Sequence, residues 1–369
     1  MVTTGPVLIE ADTGDGMTTL IADPHMELPR SEEFFGYGSI EATASIECTA
    51  GTPIPISIKW ASASGNDFAA IRVGARSPEP ADLLDRAVAA ASAADVAVVM
   101  VGTNDEWETE GFDRKTMDLP GEQDDLVRQV VAANPRTVVI VNAGSPVTMD
   151  WAAGADTGSA PAVLTPFFAG QEQAEALTDI LFGIADPGGR LPITIPRRLE
   201  DHPALTHHRP DHDSAGNGTQ RYGEGLFIGY RSYDAQAMST RFPFGHGLSY
   251  GTTEWADPEV STTTIDTEGE IEVTVPVTAE PDRSATVVVQ GYVSPVNPTA
   301  TRPPKELRVW AKATVPAGET KRFGLTFGPE AFHHWDTATN GWAVDPGEYD
   351  LVIAESAGVE RSRIRITID

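Results

Sequence analysis

Cysteine and long apolar runs are scarce in this 369-residue chain, and each scarcity excludes a class of protein. Cys48 is the single cysteine, so an intramolecular disulfide is excluded. A lone cysteine in an alternating segment predicts a small core residue. No apolar run is long enough to cross a membrane. The N-terminus has no basic segment followed by an apolar core, so no secretory signal is visible. As written, the sequence indicates a cytoplasmic protein, and its location stays open.

Positive charge is scarce as well. Lysine and arginine together number 26 against 54 aspartates and glutamates, which gives a formal net charge of -28. This charge argues against nucleic acid and anionic membrane surfaces as partners. A lysine-poor, acidic surface fits a protein kept soluble in high salt, and a GC-rich coding bias would produce the same composition. The composition is otherwise that of a globular protein, and the length allows two or three domains.

Residues 1–76 are predicted to form a β segment, because apolar residues alternate with polar ones in short runs separated by turn residues. The runs are too few to close a sandwich. A glycine-rich aromatic loop precedes them and contains Phe34 and Phe35. These two residues have two interpretations: anchors in the core, or a lip that stacks on a ligand. The alternating runs are Ala42–Ile46, Ile54–Ile58 and Ala69–Val73.

Residues 77–250 alternate between helical and strand patterns. Continuous apolar strands separated by amphipathic helices predict a doubly wound, mostly parallel α/β sandwich. Helices are expected up to Ala94, after Pro120 and up to Gly183. The predicted strands are Val96–Val101, Thr137–Val141 and Ala162–Thr165.

An acidic loop follows the first of these strands, over residues 106–114. In open α/β sheets, ligands bind at the carboxyl ends of the strands. Three glutamates, a tryptophan and an Asp-Arg pair at such an edge indicate a site. An acidic surface loop in an acidic protein is an equally good interpretation of the spacing alone.

Residues 251–369 have the alternation of strands again. Short strands at regular spacing, separated by turns such as Pro346-Gly347, predict a β-sandwich of the immunoglobulin or fibronectin type. Within residues 77–250, His207, His208 and His212 lie in a long polar segment. No predicted element fixes these histidines, so we predict no metal site.

Several motifs, taken in order from about Pro78 onward, resemble the non-barrel half of family 3 glycoside hydrolases. No motif is decisive alone, but their number and order are specific. Residues before about Arg76 look like the later part of a PA14 domain, which some β-glucosidases of the family carry. The motifs are residues 107–114 (Trp-Glu-Thr-Glu-Gly-Phe-Asp-Arg), residues 118–121 with Gln123, residues 170–172, residues 191–196, residues 221–225, residues 229–231 and residues 242–250.

The resemblance implies a role for Glu110 as the general acid/base of a retaining β-glycosidase. Glu106 and Glu108 would supply negative charge beside it, and Asp113 and Arg114 would brace the loop as an ion pair. Phe34 or Phe35 would reach over the sugar. The implied substrate is a β-linked oligosaccharide or aryl glycoside, and no cofactor is implied.

The sequence departs from the family pattern in one respect. The family nucleophile is an aspartate on a (β/α)₈ barrel of about 250 residues, and no segment here matches its motif. We therefore expect a C-terminal part that lacks the nucleophile-bearing barrel. Two alternatives stay open: a non-catalytic carbohydrate-binding or accessory chain, and a subunit that pairs with a separately encoded barrel.

Overall fold

A computed structural model of the protein describes residues 1–31, 37–62, 69–110, 113–152, 159–207, 211–212 and 218–369. The N-terminal β segment is organised around a central strand whose alternate residues Val7, Ile9 and Ala11 are buried. This strand, β2, pairs antiparallel with β3 and β4, and β1 pairs with β5. The strands are β1 (Val2–Thr3), β2 (Val7–Asp12), β3 (Met17–Asp23), β4 (Ile56–Trp60) and β5 (Ile71–Arg72).

The prediction of a strand over residues 42–46 is wrong. The segment forms no strand, and Ala42 makes a backbone bond to Met1 instead of joining a ladder. Alanine side chains offer little apolar area to bury, so the alternation alone does not stabilise a strand here. Cys48 is exposed, so its assignment to the core is wrong too. That the segment is part of a PA14 domain stays a prediction.

The middle layer contains a parallel sheet in the order β6-β7-β8. The three strands lie within one residue of the predicted ones, and the predicted helix ends lie within three residues, because long runs with a clear apolar period define them. They are α1 (Leu83–Ala93), β6 (Ala97–Gly102), α2 (Gln123–Ala133), β7 (Thr137–Asn142), β8 (Ala162–Leu164) and α3 (Gln173–Leu181).

The first strand of this sheet is buried on one face only. Ala97, Val99 and Val101 pack into a core with the apolar face of α2. On the other face Val98 is 52% exposed and Met100 is 58% exposed. A doubly wound sheet has both faces of its strands covered, so this part of the prediction is wrong for β6 in the described structure. In α3, which the structure describes throughout, no residue is buried.

Asn134 joins the ends of α1 and α2. Its side-chain Nδ2 donates to the carbonyl oxygens of Ala91 and Ala94, each at 2.9 Å. Its Oδ1 accepts from the backbone N–H of Arg136 at 2.9 Å. Asn134 is buried, so it satisfies backbone groups that water does not reach.

A connecting region leads out of the α/β layer. It contains the short strands β9 (Asp211–His212) and β10 (Gly218–Thr219) and the helix α4 (Tyr230–Ala235). Two short 3₁₀ helices precede them, at Leu199–Asp201 and Pro203–Thr206.

The C-terminal layer is a β-sandwich, as predicted. In one sheet β14 pairs with β11, β12 and β17, and the other sheet has the order β13-β21-β20-β15-β16. Inward-facing residues of both sheets form one core, with Ile271, Phe327 and Leu351 fully buried. The strands are β11 (Thr253–Trp255), β12 (Glu259–Val260), β13 (Thr264–Ile265), β14 (Ile271–Ala279), β15 (Ala285–Pro295), β16 (Glu306–Val315), β17 (Thr320–Phe327), β18 (His334–Asp336), β19 (Gly341–Ala343), β20 (Gly347–Ser356) and β21 (Val359–Ile368).

Asp186 connects the α/β layer to the sandwich. Its carboxylate accepts hydrogen bonds from the Ser249 hydroxyl and from the backbone N–H groups of Tyr250 and Thr286. Burial alone would raise the pKa of Asp186, but these hydrogen bonds outweigh burial and lower it. The layers are therefore joined by an ionised side chain with several partners. Among the described residues, no helix combines the length and apolarity needed to span a bilayer.

The contacts of Asn134 yield a stability prediction. Asn134→Ala leaves buried carbonyl groups without donors, so we expect the free energy of unfolding to fall by about 2 kcal/mol. Urea unfolding followed by circular dichroism measures this change. Gln129→Ala, at an exposed position of α2, is the control and should stay within about 0.5 kcal/mol of the parent. Equal effects of the two substitutions would contradict the role of Asn134.

Candidate active site at the carboxyl edge of the parallel sheet

Strands β6 and β7 end side by side, which brings their following loops together. Gly102 is paired with Asn142 in the parallel register. A Cβ atom at position 102 would lie 1.9 Å from the carbonyl oxygen of Asn142, so only glycine fits. The next residue, Thr103, donates its backbone N–H to the same oxygen at 3.1 Å. The acidic loop therefore leaves the sheet directly beside the loop that follows β7.

Two glutamines at helix starts hold these strand ends. The Gln123 amide bonds both backbone groups of Gly102: Oε1 accepts from the N–H at 2.7 Å, and Nε2 donates to the carbonyl at 3.0 Å. Gln173 donates its Nε2 to Oδ1 of Asn142 at 2.6 Å. The Gln123 amide thus satisfies backbone groups at the end of the ladder, and the Gln173 amide bonds the side chain of Asn142. The first turns of α2 and α3 are thereby fixed to the sheet edge.

Glu108 is the anchored carboxylate of the acidic loop. Its Oε1 accepts from the Thr103 hydroxyl at 2.6 Å and forms an ion pair with Nη1 of Arg114 at 3.4 Å. The Glu108 side chain is only 14% exposed. The loop also turns on Asn104, whose carbonyl accepts from the N–H groups of Trp107 and Glu108. Glu108 therefore acts in the structure as a brace.

Arg114 ties the acidic loop to the loop after β7. Besides Glu108, its guanidinium donates to the Ser145 hydroxyl at 3.0 Å and to the carbonyl of Pro146 at 3.2 Å. The expectation that Arg114 braces the loop agrees with these contacts, and its carboxylate partner here is Glu108. The predicted pairing with Asp113 stays a prediction.

The loops after β7 and β8 meet Glu108 at Gly144. A Cβ atom at Gly144 would lie 2.5 Å from Oε2 of Glu108 and 2.8 Å from the ring of Phe168. Phe168 is 50% exposed, so an aromatic face is available at the sheet edge beside the loop. Phe167 before it has a positive φ of 56°, which is strained for a bulky residue. Such strain is concentrated at functional sites.

Asp118 fixes the far end of the acidic loop. Its carboxylate accepts from the hydroxyls of Thr148 at 2.6 Å and Thr116 at 2.7 Å. These hydrogen bonds, with a smaller contribution from Arg114, lower the pKa of Asp118. Asp118 thus stays ionised and keeps the segment that leads into α2 in place.

Glu110 lies two residues beyond the anchored Glu108 and is exposed. Glu106 is exposed in the same loop. The structure therefore separates the three glutamates of the loop: one is bonded inside the protein, and two face solvent. An exposed carboxyl group on a braced loop is able to exchange a proton with a bound molecule. Phe34 and Phe35 lie outside the described residues, as do Gly111 and Phe112.

Sequence reasoning did not identify the bracing residues Glu108 and Gln173 or the close approach at Gly144. For the glutamines, sequence position is a usable signal, because Gln123 and Gln173 each stand at the start of a helix that follows a glycine turn. Among the described residues, no group of three acidic, histidine or cysteine side chains is arranged to hold a metal ion.

Comparison with known sequences gives two family matches. The profile of the Glycosyl hydrolase family 3 C-terminal domain matches residues 13–250, and that of the Fibronectin type III-like domain matches residues 287–357. A beta-glucosidase of Rhizobium radiobacter is 35% identical over 351 residues, which are 94% of this chain and 42% of the relative. The chain thus spans less than half the length of this relative.

Solved structures give the same picture. The beta-glucosidase of Kluyveromyces marxianus in complex with glucose superposes with a TM-score of 0.85 at 29% identity, over 100% of this chain and 42% of that one. The GH3 beta-glucosidase of Bifidobacterium adolescentis gives a TM-score of 0.71 at 33% identity, over 79% of this chain and 42% of that one. The resemblance to family 3 and to β-glucosidases is confirmed.

The close packing around Gly144 at the carboxyl edge of the sheet is tested by substitution. Gly144→Ala forces the Glu108 carboxylate or the Phe168 ring to move, so we expect a loss of roughly 1–3 kcal/mol in the free energy of unfolding. Gly189→Ala is the matched control, because a Cβ atom there meets nothing within 4 Å. Denaturant unfolding of both variants checks the prediction, and equal stabilities would contradict the close packing at Gly144.

Proposed function

Because the chain belongs to glycosyl hydrolase family 3, we propose that it is the C-terminal part of a retaining β-glycosidase of the β-glucosidase type. Its reaction is the hydrolysis of O-glycosidic bonds in β-linked oligosaccharides or aryl glycosides. One observation carries the proposal: an exposed glutamate, Glu110, lies within a loop that is braced at the carboxyl edge of the sheet.

Glu110 is proposed as the general acid/base. In retaining hydrolysis one carboxylic acid protonates the leaving oxygen while a carboxylate roughly 5 Å away attacks the anomeric carbon. The first residue then takes a proton from the water that releases the sugar. Glu108 does not fit this role, since its Oε1 is already bonded to Thr103 and Arg114. Two carboxyl groups suffice for this chemistry, so the mechanism needs no cofactor.

The nucleophile is proposed to come from a (β/α)₈ barrel, as the family resemblance implies. The relatives are more than twice the length matched here, which leaves room in them for such a domain. The exposed apolar residues Val98, Met100 and Phe168 support a contact with another domain, on the same polypeptide or on a separately encoded one.

The role of Glu110 is tested in an assembly that includes a family 3 barrel. We expect Glu110→Gln to lower kcat for nitrophenyl β-glucoside by roughly 100-fold or more, because the water that releases the sugar loses its base and the leaving group loses its proton donor. Dinitrophenyl β-glucoside, whose leaving group needs no proton, should suffer far less in its first step. With Glu110→Ala, added azide should yield glucosyl azide.

Glu106→Gln is the matched control, since it removes an exposed carboxylate from the same loop. We expect near-parent kinetics for it. Full activity of Glu110→Gln on substrates with poor leaving groups would contradict the assignment of Glu110 as general acid/base. The unmodified chain is assayed alone beside these variants, and turnover that Glu110→Gln abolishes would place a nucleophile within this chain.

The docking role of the exposed face of β6 is tested by dye binding and self-association of the purified chain. We expect binding of a hydrophobic dye and concentration-dependent association, both reduced in a Val98→Thr, Met100→Gln double variant. Val359→Thr, which alters an exposed valine of the sandwich, is the control. Unchanged dye binding and association in the double variant would contradict a docking role for this face.

A further inference from the structure

The hairpin of β18 and β19 presents two tryptophans to solvent. Trp335 and Trp342 stand directly opposite each other in the antiparallel register. Trp335 is 47% exposed and Trp342 is 66% exposed. Large aromatic side chains bury most of their area when they serve a core, so these two are not core residues.

The two indole rings form a corner. Their centroids lie 5.4 Å apart and their planes meet at 86°, so one ring forms a floor and the other a side wall. His333 lies nearly parallel to Trp342, with centroids 6.2 Å apart. The corner thus has a polar aromatic ring behind it and stays open to solvent in front.

Two arginines, of which Arg302 is buried, hold the hairpin in position. Arg302 donates to the carbonyl of Phe332 at 3.2 Å, and Arg308 donates to the carbonyl of His333 at 3.1 Å. Both arginines form ion pairs with Glu306, and the Arg302 side chain is only 2% exposed. Phe332 is buried against Tyr349 in an edge-to-face contact. The residues that lead into β18 are thereby fixed, so the corner is formed before any ligand arrives.

The turn of the hairpin is also ordered and polar. The Asp336 carboxylate accepts from the N–H of Ala338 and from the Thr339 hydroxyl, each at 2.8 Å. These hydrogen bonds lower the pKa of Asp336, so it remains an acceptor near neutral pH. Aromatic faces bordered by hydrogen-bonding groups suit a ligand that is apolar on its faces and polar around its rim.

We propose that Trp335 and Trp342 form a binding surface for a neutral β-linked glucan. The hydroxyls of a β-glucosyl unit are equatorial, so its ring faces carry axial C–H groups that pack on the electron-rich face of an indole. The net charge of -28 disfavours anionic polymers. A protein partner would need a larger apolar area than a pair of rings beside Asp336, Thr339 and Asn340. This surface goes beyond the proposed catalytic role, since it needs neither Glu110 nor a nucleophile.

Native gel electrophoresis in gels that contain barley β-glucan tests the proposal, and the acidic chain is well suited to it. We expect the glucan to retard the parent chain. Trp342→Ala and Trp335→Ala should each weaken retardation by roughly tenfold in apparent affinity, and Trp342→Phe should lose less. Trp310→Ala is the matched control, because Trp310 is also 66% exposed but lies on β16. Glu110→Gln should bind like the parent, which separates this test from that of catalysis.

A second measurement does not depend on any substitution at the hairpin. In the chain labelled with ¹⁵N-tryptophan, cellopentaose should shift the indole N–H signals of Trp335 and Trp342 and leave that of Trp310 in place. The proposal is overturned if β-glucan does not retard the parent chain or if dextran retards it equally. It is also overturned if Trp310→Ala weakens binding as much as Trp342→Ala, or if cellopentaose leaves both hairpin signals unmoved.

Discussion

The close approach of Gly102 to Asn142 is the contact on which the candidate active site depends. A side chain at position 102 would collide with the Asn142 carbonyl, so the parallel ladder reaches the sheet edge only with glycine there. Gln123 then bonds both backbone groups of Gly102, which fixes the start of α2. The turn at Asn104 and the position of Glu108 follow along the chain from Gly102, so both depend on that pair of strand ends.

Two glutamates of the acidic loop, Glu108 and Glu110, differ in their surroundings. Glu108 accepts hydrogen bonds from Thr103 and Arg114, whereas Glu110 is exposed to solvent in the part of the loop that the structure describes. The difference arises from neighbours, because Thr103 and Arg114 both reach the first carboxylate. In the proposed proton transfer, the brace at Glu108 would limit the positions open to the exposed carboxyl group of Glu110.

Much of the architecture was predictable, and the misses have physical causes. Helices α1 to α3 and strands β14, β17, β20 and β21 match strong apolar periods, so the mixed α/β layer and the sandwich followed from the sequence. The run from Val96 to Val101 has the same composition whether one face of its strand is covered or two, so the exposed face was missed. Glu108 bonds Thr103 and Arg114 within the same loop. Arg114 in turn bonds Ser145 across 31 residues, a contact that no local pattern encodes. The run from Ala42 to Ile46 alternates like a strand, yet its alanines offer too little apolar area to stabilise one, and Cys48 beyond it is exposed.

Asp186 accepts hydrogen bonds from residues that are 63 to 100 positions away in the chain, so the sandwich is not suspended from a flexible linker. The effective concentration of a tethered ligand depends on how its tether restricts it. With a flexible linker, a sugar chain held on the sandwich would sample a wide volume around the sheet edge. With a fixed junction, the bound sugar chain would sample a narrow volume, which either includes the carboxyl edge of the parallel sheet or excludes it. The length of a glucan, more than its concentration, would then decide whether one molecule reaches both places.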